Sequence, residues 1–361
     1  MQQPIQGRTQ RVIGSVFPLH EPEPRTQTNR NWPFLHQGVL HLASARGAFS
    51  LLARALRPRR VWLPSYLCSS ILEGFRAADA VVEFFPVGED LLCESSAWLQ
   101  RVAQGDLVLR IHYFGFPNSD PVFEEAAARR ACLVDDAAQA LLSDGVGTDA
   151  NFVVFSPRKF VGLPDGGCLV MRSPLPDFSA QLPPPPEAWW HESLSAVTLR
   201  RDFDCVGGNR EWFTQFRSAE NHVPVRPHAM SELTWRLLAH GINFEAIATR
   251  RRDNYRSLQR LLGDVAMFPE LPEGVVPLGF PIRVRPRDSI RTALFQQEIY
   301  PPVHWPLEAC VPASFEASHH LADEIMTLPC DQRYDADDMR RIAAALREAY
   351  GLIARSSAEM P

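Results

Sequence analysis

Lysine is almost missing from this sequence. Of its 37 basic residues among 361, one is lysine, Lys159, and the other 36 are arginine. Arginine serves for surface ion pairs, solubility and phosphate contacts, but its guanidinium stays protonated and is a poor nucleophile. A primary amine can shed its proton and attack a carbonyl carbon. A chain with arginine everywhere except one position therefore points to a need for an amine there, against the plainer reading of a leftover surface lysine.

Other absences narrow the field. No apolar run approaches the length that spans a bilayer, so a membrane-embedded protein is not expected. Positive charge is not in excess: the net charge of −5 argues against general binding to nucleic acid or anionic membranes. The segment Met1–Arg11 is polar and carries no apolar export core, which predicts a cytoplasmic protein. The seven cysteines are odd in number, scattered and free of any C-x-x-C pair, which fits reduced thiols and excludes a disulfide frame or zinc site of that kind. His112, His304, His319 and His320 show no H-E-x-x-H spacing, so no metal is expected. The arginine and alanine bias suggests a GC-rich bacterial genome.

What is present reads as an α/β protein of two lobes. The first forty residues are irregular and proline-rich; Ala45–Leu56 then reads as a helix entered through Ser44 and stopped at Arg57-Pro58. Short apolar runs follow at Val61–Leu63, Val81–Pro86, Leu107–Tyr113, Cys132–Val134, Phe152–Phe155 and Cys168–Met171. Helix-length segments such as Phe123–Arg130 separate them, which predicts a mostly parallel sheet with helices on its faces. The run from Leu182 to Pro186 reads as a break that opens an irregular stretch with Trp189 and Trp190. Residues 231–262 carry apolar side chains at helical spacing, divided near Gly241. A strand at Pro281–Val284, a helix over Ser289–Glu298 and a last helix over Asp337–Tyr350 complete the pattern. The expected division is a large lobe over 1–240 and a smaller α+β lobe over 241–361. The arginine runs 57–60 and 250–252 read as solvated helix ends.

Two motifs fall on consecutive strand ends, where open α/β sheets bind ligands. One is Val134-Asp135-Asp136-Ala137-Ala138-Gln139; the other is Phe155-Ser156-Pro157-Arg158-Lys159, followed by Pro164-Asp165-Gly166-Gly167. Ser156 and Lys159 also spell the S-x-x-K of penicillin-binding proteins, but the K-T-G that must follow is impossible without a second lysine. Pyridoxal 5'-phosphate chemistry accounts for the set better. Lys159 would hold the aldehyde as a Schiff base, and Asp136 would face the pyridine nitrogen and keep it protonated. Gln139 would sit beside the ring hydroxyl. Ser156 and the backbone N–H groups of Ala45 and Arg46 would take the phosphate. Read singly, Asp136 is a strand-end helix cap; the company of Gln139 and Lys159 reverses that. Asp135 reads as structural.

In this order the motifs resemble the DegT/DnrJ/EryC1/StrS family of aminotransferases, over nearly the whole chain. Asp136-Ala-Ala-Gln139 is similar to the family's E-D-A-A-Q block, and Phe155–Gly167 to its serine-to-lysine-to-G-G segment. Ser44-Ala45-Arg46 is similar to its phosphate turn. Pro64-Ser65-Tyr66 resembles the strand end that brings a ring-stacking residue: Tyr66, or Cys68 in an ungapped reading. His304-Trp305-Pro306 and Leu328–Tyr334 resemble the small-domain signature. The loop after the lysine departs from the family's threonine-rich version. His228 precedes Met230-Ser231 where the family has an asparagine reaching the neighbouring subunit's phosphate; Arg226 or His228 would have to replace it.

The resemblance implies fold type I with a mostly parallel seven-stranded sheet in the large lobe, a homodimer with shared active sites, and transfer of an amino group from an amino-acid donor, first of all glutamate, to a keto sugar, in most cases nucleotide-linked. His304, Arg226 and His228 are the candidate substrate residues. Alternatives are a transaminase of a non-sugar secondary-metabolite ketone or aldehyde, a sugar dehydratase, or a cofactor-binding regulatory protein without turnover. In the dehydratases the lysine is replaced by histidine, so Lys159 weighs against them.

Overall fold

The structure is a computed structural model describing residues 11–23, 31–176 and 181–358, with the side chains of 352–358 left aside. Residues 1–10, which carry the expectation of a polar start, lie outside the described residues.

The apolar runs form the strands they predict. After a two-residue strand β1 (Ile13–Gly14) come β2 (Leu40–Leu42), β3 (Val61–Pro64), β4 (Val82–Phe85), β5 (Leu107–Ile111), β6 (Cys132–Asp136), β7 (Phe152–Phe155) and β8 (Gly167–Met171). These last seven make one sheet in the order β2-β8-β7-β6-β5-β3-β4. The pairs from β4 through β7 are parallel, whereas β8 runs antiparallel to both β7 and β2. Every residue of β3, β5 and β7 is buried, as expected for strands covered by helices on both faces. Strand β2 is a correction to the irregular start: Leu42 is fully buried and pairs with Gly167, which places the following turn on the carboxyl edge of the sheet.

The covering helices are α1 (Ala45–Leu56), α2 (Ser69–Arg76), α3 (Val122–Ala128), α4 (Glu187–Val206), α5 (Glu211–Asn221), α6 (Glu232–Arg236) and α7 (Phe244–Leu262). Helix α4 corrects the irregular stretch read after the proline run. Pro186 lacks an N–H and Glu187 opens the first turn, a good helix start. Trp189, Ser193, Ala196, Arg200 and Phe203 then bury one face. A single π turn, Leu237–Gly241, divides α6 from α7 where the glycine signalled a break.

Beyond α7 come β9 (Phe280–Arg283), α8 (Arg287–Gln296), β10 (Ile299–Tyr300), α9 (Glu316–Glu324), β11 (Ile325–Leu328) and α10 (Ala336–Ala358). β9 and β11 pair antiparallel, and β1 returns from the chain start to pair with β10. Two large apolar clusters result, one around the main sheet and one among α7, α8, α10, β9 and β11. Helix α7 serves both: Phe244, Ile247 and Ala248 face the first, while Tyr255, Leu258 and Leu262 face the second. No helix among the described residues is long and apolar enough to cross a membrane.

Arg251 is a third correction. Read as part of a solvated arginine run, it is fully buried, because that face of α7 lies between the two clusters.

Candidate active site

The parallel registers bring the two motif-bearing strand ends together. Asp136, the last residue of β6, is level with Ile111 on one side and Val154 on the other, and Ala137 N–H donates to the Val154 carbonyl at 2.8 Å. Ser156 follows β7 and is buried, and a one-turn 3-10 helix, Pro157–Lys159, carries Lys159 half-buried at its end. The turn closes through Lys159 N–H to the Ser156 carbonyl at 3.1 Å and Phe160 N–H to the Pro157 carbonyl at 2.9 Å.

Lys159 and Asp136 belong to one electrostatic neighbourhood. Burial pushes the Asp136 carboxyl above its ordinary range, and the nearby Lys159 ammonium, the Ala138 N–H at 2.8 Å and His112 oppose that only in part. The same ammonium helps burial to push His304 down to about 3, so its ring is neutral. His304 is oriented by Thr327, whose hydroxyl lies 2.9 Å from Nδ1, and it meets Phe114 edge-on at 5.6 Å.

Gln139 is buried with its Oε1 accepting from Phe114 N–H at 2.7 Å, while its Nε2 has no partner. Tyr66 is fully buried between Tyr113 (5.7 Å between ring centroids) and Trp305 (5.5 Å). Burial raises its phenol well above the ordinary range; the Arg287 charge and the Trp305 backbone pull the other way, yet the hydroxyl forms no hydrogen bond of acceptable geometry. Cys68 caps α2, half-buried, with its Sγ 3.0 Å from Ser70 Oγ.

The first turn of α1 reaches the same edge. Ser44 caps it, accepting from Gly47 N–H at 3.0 Å, an interaction worth about 1 kcal/mol. The N–H groups of Ala45 and Arg46 have no intrahelical acceptor and point out of the helix end. Gly167 lies directly against this turn: a Cβ there would stand 2.4 Å from the Ser44 carbonyl carbon and 2.5 Å from the Ala45 nitrogen. Asp165 anchors the approach, accepting from Ser231 N–H and Oγ at 2.7 Å each and from the Thr234 hydroxyl. The Pro164–Gly167 segment is thus built for close contact.

Not every candidate side chain joins the cluster. Arg46 turns to Glu73 at 2.9 Å and to the Val223 carbonyl. The backbone of Arg226 and Pro227 passes beside Gly47, but Arg226 is exposed, and His228 Nδ1 lies 2.8 Å from the Pro184 carbonyl. Trp305, Tyr113 and Phe114 are neighbours that the motifs alone did not single out; the only signal was their place beside His304 and after β5.

No family model and no curated protein matches the sequence. Solved structures do. DesV of S. venezuelae, seen in complex with a ketimine intermediate, matches with a TM-score of 0.61 and 19% identity, over 87% of this chain and 85% of its own. The sugar aminotransferase CalS13 of Micromonospora echinospora matches at 0.61 and 16%, over 86% and 87%. DesI, seen in the presence of its TDP-sugar product, matches at 0.62 and 20%, over 88% and 83%. At these identities the likeness establishes the architecture, that of fold type I.

Proposed function

We propose that this chain is a pyridoxal-phosphate-dependent aminotransferase of the DegT/DnrJ/EryC1/StrS type. It would move an amino group from an amino-acid donor, glutamate first, to a keto sugar carried on a nucleotide. The single observation that carries the reading is the chain's one side-chain primary amine set beside a buried, under-compensated carboxylate.

The residues present fit the cofactor. Asp136 accepts one backbone hydrogen bond and is otherwise short of partners, which suits a carboxylate awaiting a protonated ring nitrogen. Gln139 Nε2, buried and unpartnered, would donate to the ring hydroxyl. Ala45 and Arg46 N–H and the Ser156 hydroxyl would hold the phosphate at the positive end of α1. Tyr66 would line the ring. Bound there, pyridoxal phosphate supplies a reactive aldehyde and an electron sink. Lys159 Nζ would take up a proton from one carbon and deliver it to a second carbon close by, a short transfer that its 3-10 turn would orient. Neutral His304 would contact the acceptor by hydrogen bond, and Arg226 and His228 would act across a homodimer interface. That CalS13 is a sugar aminotransferase and that DesI was seen with its TDP-sugar product support a sugar acceptor. A large unit over 1–240 and a smaller one over 241–361 remain our proposed division, supported by the two apolar clusters; we place the protein in the cytoplasm of a bacterium.

The test is direct. Purified protein should be yellow, borohydride should bleach it with the label on the Lys159 peptide, and glutamate should convert the absorption to that of the amine form. Lys159→Ala should lose the colour, and Lys159→Arg should keep the charge and be inactive. Normal transamination by the arginine variant would end this reading.

A further inference from the structure

The residue after the lysine is held by a device outside the motifs. The Phe160 carbonyl accepts from Gln332 Nε2 at 2.6 Å and from Arg251 Nη2 at 3.3 Å. Arg251 also lies over the Phe160 ring, 4.5 Å from its centroid. The two holders are joined, since Arg251 Nε donates to Gln332 Oε1 at 2.9 Å. Arg251 Nη1 is fixed by the Pro277 and Leu278 carbonyls at 3.1 and 2.9 Å. Arg251 comes from α7 and Gln332 from the segment after β11, so the lysine turn is gripped from elements far from its own strand.

A buried guanidinium held by three backbone carbonyls and an amide oxygen, all neutral, is costly to keep. Here one of its donors, Nη2, meets the Gln332 amide on one carbonyl, that of the residue after Lys159. We propose that Arg251 and Gln332 are positioning residues that set the direction of the Lys159 amine. The proposal rests on Lys159 being the reactive group, but not on any cofactor being bound.

The single lysine makes the test clean. Full-length protein, stripped of carbonyl compounds with hydroxylamine, is reductively methylated with 13C-formaldehyde. Lys159 then gives the one side-chain dimethylamine resonance in the NMR spectrum. In the wild type that resonance should stand away from its position in the denatured chain. Gln332→Leu removes both bonds of the amide; Gln332→Glu keeps only the acceptor for Arg251. Leucine should remove at least half of the displacement, glutamate less, and kcat should fall by about tenfold or more in Gln332→Leu with KM nearly unchanged. Where Arg251→Met fails to fold, the Gln332 variants keep the test open, because they leave Arg251 the Pro277 and Leu278 carbonyls. A Gln332→Leu resonance that superimposes on the wild type overturns the proposal, as does a wild-type resonance already at the denatured position. Absence of any colour or turnover, with the displacement intact, would instead strike the aminotransferase reading alone.

Discussion

Asp135 and Asp136 are neighbours in the chain and opposites in environment. Asp135 accepts from Arg110 Nε and Nη2 at 2.8 and 2.9 Å and from His112 Nε2 at 2.9 Å. His112 Nδ1 itself accepts from Asn118 N–H at 3.0 Å, which leaves the ring proton on Nε2, facing Asp135. Burial alone would raise the Asp135 carboxyl; the hydrogen bonds from His112 and Arg110, with the Arg110 charge, overcome it and hold it below the usual range. Asp136, on the other face of β6, is raised by the same burial with no such partners. One carboxylate is satisfied by the fold, and the other keeps a single backbone hydrogen bond.

That asymmetry predicts the behaviour of Asp136→Asn. The folded carboxyl titrates above its unfolded value, so ionising it on the way to neutral pH weakens the cofactor-free fold. Asparagine keeps the acceptor for Ala138 N–H without the charge. The cofactor-free variant should unfold at the wild-type temperature or about 1–2 °C above it at pH 7. Turnover should fall at least about 10²-fold. Calorimetry showing a clearly less stable variant would mean that the Asp136 carboxylate already has its partner.

Asp135→Asn should do the reverse. A carboxyl depressed in the folded state adds stability that is present above its unfolded pKa, near 3.8, and is lost as pH falls through the folded value. Urea unfolding at pH 7 should show a loss of about 3 kcal/mol, because Arg110 and His112 lose a shared buried partner. The gap between variant and wild type should close as the pH drops below 4. A constant gap across that window would contradict the assigned ionisation.

The sequence made Lys159 visible through arithmetic, since only an amine can do what arginine cannot. Asp136 and Gln139 were legible because a strand end followed by a fixed spacing puts both at the carboxyl edge. Helix α4 was hidden by the proline run before it, although Trp189 through Phe203 repeat at helical spacing. Arg251 was misread because charge on a helix usually means solvent, and its burial follows from α7 lying between two clusters. The contact of Tyr66 with Trp305 joins segments on opposite sides of the chain, and nothing local encodes such a pairing. Spacing identifies residues that share an element; it is silent on which elements meet.

Gly167 offers a steric test of the phosphate turn. Its Cβ would overlap backbone atoms of Ser44 and Ala45, which cannot swing away as a side chain can. Gly167→Ala should lower stability by about 1–3 kcal/mol and displace the first turn of α1. Affinity for pyridoxal phosphate, followed by absorbance titration, should fall more than affinity for pyridoxal, which lacks the phosphate. Equal losses for both would place the phosphate elsewhere.

His304 gives a prediction whose sign is set by burial. The unfolded ring titrates near 6.5 and the folded one at about 3, so between these values the unfolded chain binds a proton that the folded chain does not. Wild-type stability should therefore decline as the pH falls from 7 to 5. His304→Phe lacks the titrating ring, so its unfolding temperature relative to wild type should rise steadily over that range. The same variant should lose about three- to tenfold in kcat/KM for the keto acceptor, the worth of one hydrogen bond, with glutamate conversion of the cofactor little changed. If the relative unfolding temperature is flat with pH, the ring is protonated in the fold and the neutral contact with the acceptor is wrong.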